Sequence, residues 1–469
     1  MWHDTYLRVV LQPDYDYASE HLLPHLFDAL SAHALMLDGC GVAHADEAAA
    51  LLRELRREPF PAYDPSVEDV FFTLDRTLAA RNAGAAGALR TALSRNDLDM
   101  TLYRLSARQR LMRAMERVLQ LRRTLLDLAA REIDTVIVAY THHQPAQPTT
   151  LAHYLTAVEN VLSRDTARML GAMTHLNLSP MGAVALGGTS VPIDRTRTAA
   201  LLAFDRPIEN TYDAVSASDW QVEIASVITV VSTTLSRVLY DLLFWASRGL
   251  LSLEDGLVQG SSVMPQKRNP VALEHARTKF SKAIGVTQSV IISSHNVPFG
   301  DINDPGADLQ PALTSMWHDF RDGLDLLISS LTNPRLNREE WVREARQGET
   351  VVTELADVIA RTTGCGFRDA HAHVKALLAH LHAQGRTVST LTAADLEGVG
   401  LNLPQAEVHR ALNPAEFIAR RTTFGGPAPS VMAGALTVAR DRLNTDTTHH
   451  DHLTTRFMNA RTHLEGGRL

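Results

Sequence analysis

Gly260-Ser261-Ser262-Val263-Met264-Pro265-Gln266-Lys267-Arg268-Asn269-Pro270 is the most chemically dense segment of the chain. Its glycine start is flexible and presents two hydroxyls. Lys267 offers a positive charge, Asn269 offers amide donors, and Pro270 suits the start of a following helix, where its missing N–H is not needed. A loop of this make-up can wrap a carboxylate. The same residues also suit a polar connection between helices, so the segment alone leaves both readings open. Two further groups stand out. Ser94-Arg95-Asn96-Asp97 combines a hydroxyl, a guanidinium that can grip a carboxylate in two places, and an amide, although such a run is commonly a turn or a cap. Thr141-His142 adds a side chain that titrates near neutrality, though an isolated histidine is more often a satisfied surface or core residue. Thr447-Thr448-His449-His450-Asp451-His452 has metal-binding side chain types but nothing that fixes their geometry, and a surface helix or frayed tail is expected there.

The elements that would position these groups are helical. Ile224, Val227, Ile228, Val231, Leu235, Val238, Leu239 and Leu242 recur at spacings of three and four, which predicts a long helix. Val222, Ala225 and Val230 extend its apolar surface to other faces, as in the centre of a bundle or across a subunit interface. Similar periodicity covers 106–136, 150–175, 270–296, 311–332 and 350–363, and strand-like alternation is scarce. The chain reads as mainly α. Loops are expected at 57–65, 83–87, 182–188 and 304–308, where Pro and Gly gather. The division predicted is an N-terminal helical region, 1–105, a central long-helix bundle, 106–355, and a C-terminal helical region, 356–469.

Composition narrows the class. The 469 residues carry 45 Lys and Arg against 53 Asp and Glu, a formal charge of -8, and no electrostatic reason to bind nucleic acid. With 45% hydrophobic and 21% charged residues, the whole chain is not disordered. Two cysteines, Cys40 and Cys365, cannot staple such a length, and the first residues lack a basic stretch followed by an apolar one, so a cytoplasmic protein is expected. The most apolar stretch, 224–236, is shorter than the roughly 20 residues that cross a bilayer, and no membrane span is predicted. Nucleotide-binding glycine loops, His-Glu-x-x-His and Cys-x-x-Cys are missing, so neither a metal nor an organic cofactor is expected.

The loop at 260–270 resembles the signature Gly-Ser-x-x-Met-Pro-x-Lys-x-Asn-Pro of the aspartase/fumarase superfamily, and its Met-Pro-Gln-Lys version is similar to that of argininosuccinate lyases. Further similarities follow in order: Ser94-Arg95-Asn96-Asp97; Tyr140-Thr141-His142 with Gln144 and Ala146-Gln147-Pro148; Ser179-Pro180-Met181-Gly182 on to Asp194-Arg195; Asp213-Ala214-Val215-Ser216; Phe367-Arg368-Asp369-Ala370-His371; and Arg420-Arg421-Thr422 to Gly425-Gly426. The resemblance spans nearly the whole chain. It implies a three-part helical subunit, a homotetramer around a twenty-helix core, and active sites each shared between three subunits. It also implies cleavage of a C–N or C–O bond β to a carboxylate with release of fumarate, without metal or organic cofactor.

By that resemblance Ser261 is the general base, acting as an alkoxide that needs a positive local field. Lys267 and Asn269 donate to the carboxylate as its charge grows. His142 pairs with Glu274, which fixes the imidazole tautomer and suits the pair to protonate the leaving nitrogen. Thr141, Ser94, Arg95 and Asn96 complete the cradle for the fumarate half.

The departures from argininosuccinate lyases fall on one side of the expected substrate. Leu93 stands where those enzymes have an Arg, Ser218 replaces the Arg of Asp-Ala-Val-Ser-x-Arg-Asp, and Asp301-Ile302-Asn303-Asp304-Pro305-Gly306-Ala307-Asp308-Leu309 replaces Tyr-Asn-x-Asp-x-Gln-Glu-Asp-Lys. The expectation is a C–N lyase acting on an N-substituted aspartate whose amine is not arginine. Asp301, Asp304 and Asp308 could favour a cationic leaving group, though loop carboxylates are more often simply solvated. Alternatives are a true argininosuccinate lyase, a lyase of nitrosuccinate, C–O cleavage or lactone-forming chemistry on the same fold, and a structural homologue that has lost the reaction.

Overall fold

The computed structural model describes residues 2–466. Five long helices form the centre: Arg95–Arg131, Leu151–Leu176, Asp219–Ser247, Val271–Ser294 and Gln310–Thr332. Each packs on the next, and the last returns to the first, so the five close a ring. The periodic residues of the sequence fill its interior. Leu111, Met115 and Val118 of the first helix are fully buried, as are Ile228, Val231, Leu235 and Leu239 of the third. Burying one such side chain contributes about 1.5–3 kcal/mol. Phe280 and Phe320 meet edge to face at 6.0 Å, and the helix carrying Phe320 passes Phe280 so closely that a Cβ on Gly323 would lie 3.0 Å from the ring. Only glycine fits that crossing without displacement.

The Asp219–Ser247 helix is long and apolar enough to cross a membrane by length and composition, but half of its most apolar stretch is buried within the protein. It packs along Leu151–Leu176 and Val271–Ser294. Val230, on its outer face, stays 41% exposed in the single chain.

Small elements sit at the ends of the rods. Strands β1, Val136–Thr141, and β2, Gln144–Thr150, form an antiparallel hairpin between the first two central helices, and two further two-stranded pairings are only two residues long on each strand. The Gly-containing stretch at 83–87, expected as a loop, is instead the start of a short helix, Ala83–Leu89. Asn82 accepts from the Ala85 N–H and caps it, and the alanines outweigh the two glycines. The boundary expected near residue 105 falls inside the Arg95–Arg131 helix.

The polar C-terminal stretch is part of a 36-residue helix, Pro429–Leu464, laid along Arg95–Arg131 and Leu151–Leu176. His450 is buried there, its ring nitrogen 3.1 Å from the Met112 carbonyl. A second, smaller core of Leu355, Ile359, Val374, Leu377, Leu381 and Val408 lies in the C-terminal region. Arg420 and Arg421, part of the C-terminal similarity, bind buried Glu354 at 2.8 and 2.5 Å.

Arg122 is fully buried and joins three helices: it pairs with Glu159 at 2.9 Å, Asp446 at 2.6 Å and the Thr166 hydroxyl at 3.1 Å. Arg122→Ala leaves buried Glu159 with only Arg442, at 3.2 Å, as its cation among the described residues, and the expected loss is about 2–4 kcal/mol in denaturant unfolding, against a smaller loss for an exposed arginine such as Arg206.

Candidate active site

Ser94 has extended backbone and caps the Arg95–Arg131 helix in a reciprocal box: the Asn96 N–H reaches its hydroxyl, and its own N–H donates to Asp97 at 3.3 Å. The run is therefore a cap, and it also opens on a cavity. Asp97 holds the Gly182 N–H at 2.7 Å, tying the cap to the Pro180-Met181-Gly182 turn, and burial pushes its carboxyl up to about 6. The Ser94 hydroxyl donates to Asn96 Oδ1 at 2.6 Å, and Asn96 Nδ2 donates to Asp301. Arg95 gives Nη1 to Glu68 at 3.0 Å and Asp69 at 2.5 Å, with its guanidinium over Phe72. Its Nη2 and Nε make no hydrogen bond among the described residues.

Ser94, Arg95 and Asn96 thus meet on the wall of one cavity of about 400 Å³. Residues 300–303 and 305–307 and the 215–218 turn line the same cavity, so Ser218 and Asp301, two of the departures, face the same space. Asp304 is exposed and lines no part of it. Asp308 is also outside the lining, though its charge adds to partial burial in pushing half-buried Asp14 up to about 6. Leu93 packs against the main core.

The 260–270 loop lies elsewhere. Its neck is closed by backbone pairing of Gln259 with Asn269, at 3.0 and 2.8 Å. Ser261 Oγ accepts the Val263 and Met264 N–H groups at 3.3 and 3.1 Å. Two donors on one oxygen favour its anionic form. Lys267 and Glu274 are exposed and their side chains make no hydrogen bond among the described residues; Asn269 is half-buried.

His142 and Thr141 stand exposed at the tip of the hairpin. His142 and His143 both have positive φ, 52° and 62°, the sign pattern of a tight hairpin turn that normally takes Asn and Gly. Holding two histidines in that region costs about 1 kcal/mol or more each, strain of the kind found at functional positions. The hairpin is braced from below: Tyr140 donates to buried Glu344, which also pairs with Arg248 at 2.6 Å.

One chain does not bring all of these groups together. The 260–270 loop enters the start of the 24-residue Val271–Ser294 helix, and the segment carrying Asp301 leaves its end. At 1.5 Å per residue those points are about 36 Å apart. No hydrogen bond joins His142 to Glu274 in the described chain.

Cavity residues that sequence reasoning missed include Asp14, Glu68, Asp69, Asp99 and Tyr103. Asp99 and Tyr103 follow Arg95 at steps of four, which puts all three on one face of the helix, and that spacing could have found them. Enclosure in the cavity, with Asp69 and Asp301 nearby, pushes the Asp99 carboxyl up to about 8.

Residues 69–285 match a family model described as Lyase, and residues 349–419 one described as Argininosuccinate lyase C-terminal. Among curated proteins the chain is similar to argininosuccinate lyase 2 of Agrobacterium fabrum, 35% identical over 94% of this chain and 90% of that protein. It is also similar to argininosuccinate lyase of Methanoculleus marisnigri, 34% identical over 88% and 86%. Among solved structures, EDDS lyase in complex with formate superposes with a TM-score of 0.87 at 26% identity, over 97% of this chain and 94% of that one.

Asp14, Asp97 and Asp99 all hold their protons more tightly folded than unfolded. Their contribution to stability is therefore full below the unfolded carboxylate range and is lost as pH rises through about 6 and then about 8. Asp99→Asn removes its share of that loss, so the melting temperature of the variant should fall less than that of the wild type between about pH 5 and about pH 8. An unchanged slope would show that Asp99 ionises normally.

Proposed function

The chain belongs to the argininosuccinate lyase-like branch of the aspartase/fumarase superfamily and is a carbon–nitrogen lyase that releases fumarate; from there we propose that it cleaves an N-substituted aspartate whose amine is not arginine. The observation that carries the substrate reading is that residues unlike those of argininosuccinate lyases, Ser218, Asp301 and the 302–307 turn, gather on one cavity whose rim keeps Ser94, Arg95 and Asn96.

In the proposed mechanism Ser261 removes a proton from the carbon next to the distal carboxylate. The electron pair left behind spreads into that carboxylate as an aci-carboxylate dianion, which Lys267 and Asn269 stabilise by charge and hydrogen bonds. The pair then forms the double bond of fumarate, and the C–N bond breaks with its electrons on nitrogen. His142, backed by Glu274, returns a proton to that nitrogen. Two backbone N–H groups already aimed at Ser261 Oγ support its role as an alkoxide. Thr141, Ser94, Arg95 and Asn96 are assigned to holding the fumarate half.

The small-molecule site is proposed to be completed in a homotetramer, with His142, Ser261 and the Ser94 cap supplied by different subunits. The separation of about 36 Å along one rigid helix supports this, since no loop movement closes such a gap. Five long helices per chain also give the twenty of the expected core in four copies. Exposed Val230, Tyr240, Ile291 and Ile292 on two of these helices suit contact with further copies.

Ser261→Ala should lower kcat for fumarate release from N-substituted aspartates by about 10²–10⁴-fold with the fold retained, and fumarate absorbance reads it directly. Wild-type release from argininosuccinate at ordinary efficiency would overturn the substrate reading; nitrite release from nitrosuccinate would move it to that alternative. Subunit sharing has its own test. Inactive His142→Ala and Ser261→Ala chains, unfolded together and reassembled in equal amounts, should regain roughly a quarter of wild-type activity, because a site drawing the two residues from different chains has one chance in two of each intact group. No recovery would mean that one chain supplies both.

A further inference from the structure

The cavity beside Ser94 carries an imbalance of charge that the proposed reaction does not use. Five carboxylates line it, Asp14, Glu68, Asp69, Asp99 and Asp301, against one cation, Arg95, which already rests on Glu68 and Asp69. Deeper in the cavity Tyr103 is 94% buried, and its hydroxyl makes no hydrogen bond among the described residues. The ring is buried while the hydroxyl opens on the cavity, where it is free to meet a polar group of whatever enters. The Asp99 carboxylate, one turn nearer the mouth on the same helix face, also has no hydrogen-bond partner among the described residues. Leu11, Leu22, Leu26, Phe71 and Leu102 give the rest of the cavity a hydrocarbon wall.

We propose that this cavity receives the leaving amine, and that the amine is an aliphatic chain bearing a second cationic group, ammonium or guanidinium, and no carboxylate. This deepens the lyase reading and rests on it. The methylenes lie against the leucine and phenylalanine wall. The distal cation takes Asp99, Asp301 and the Tyr103 oxygen as acceptors, with Asp14 nearby. A carboxylate on the leaving group, as on arginine or on a second succinyl arm, would enter among five acids and find only the unused N–H groups of Arg95. Burial first, and then the charges of Asp308 on Asp14 and of Asp69 and Asp301 on Asp99, hold both carboxyls above the usual carboxylate range, and a cation bound between them would favour their charged forms. In the reaction the proton lost from carbon goes to Ser261, the C–N electron pair stays on nitrogen, and a proton from His142 completes the free diamine beside fumarate.

The test is calorimetric titration of the assembled full-length protein carrying Ser261→Ala, saturated with fumarate so that no bond is made. The probes are putrescine, pentylamine, which puts a methyl in place of the distal ammonium, and ornithine, which adds a carboxylate to putrescine. Putrescine should bind at least about tenfold more tightly than either, the factor expected when a buried charge is paired in one case and unpaired in the other. Asp99→Asn and Asp301→Asn should erase most of that preference, and Tyr103→Phe should weaken putrescine severalfold. Equal binding of pentylamine, equal or tighter binding of ornithine, or no binding of any amine overturns the proposal. The ranking in the parent protein decides the matter even if a cavity variant fails to fold. Fumarate release by the wild type from N-aminobutyl and N-pentyl aspartate separates the two readings. Equal release from both keeps the lyase reading and overturns this one. Release from no N-substituted aspartate overturns the lyase reading, and the binding ranking still judges the cavity.

Discussion

A rigid rod fixes most of what this protein can do. Val271–Ser294 is an unbroken helix held between two others, and its stiffness keeps the Ser261 loop at one end and the Asp301 segment at the other. Helices packed edge to edge over this length do not bend to bring their ends together. In the proposed assembly, a site that uses both ends takes the second from another copy of the chain. The same rods that separate the groups within a chain expose apolar residues, Val230 and Ile292 among them, along which copies can pack. Fold, assembly and chemistry are thus one problem, set by helix length.

Charge divides the proposed site in two. Breaking a C–H bond beside a carboxylate piles up negative charge, and the groups assigned to that half are donors or cations: Lys267, Asn269, Arg95 and the two N–H groups on Ser261. The other half is acidic. Both polarities meet in the opening turns of Arg95–Arg131, where Arg95 is assigned to the fumarate half and Asp99 and Tyr103, on the same helix face, to the amine half. That short stretch sets the register of one half against the other, and the Asp97 bond to Gly182 pins it to the next segment of the chain.

Much of this was legible from residue order. The helices at 219–247, 271–294 and 310–332 were visible because one face of each is buried in the bundle and the other is less so, which keeps the apolar spacing of three and four. The residues assigned to the fumarate side were singled out through their motif. What periodicity could not give was a contact set by tertiary crossing: the Ala83–Leu89 helix, hidden by its glycines, and the acids of the amine cavity, which come from four separate segments. Asp304 and Asp308 looked like cavity residues beside Asp301, yet the turn at 303–306 points one outward and carries the other past the rim. Asp14, Asp99 and Tyr103 are far apart in sequence or masked by the helix they sit on. Their meaning appears only once the chain has folded around a common space.

The central claim is that an old fumarate-releasing machine has been given a new amine. The direct measurement is the ratio of kcat/KM for fumarate release from N-aminobutyl aspartate to that from argininosuccinate, with the wild-type protein under one set of conditions. The account predicts a ratio well above one. A ratio below one, with argininosuccinate cleaved efficiently, would contradict it and return the enzyme to arginine chemistry with an unusual pocket.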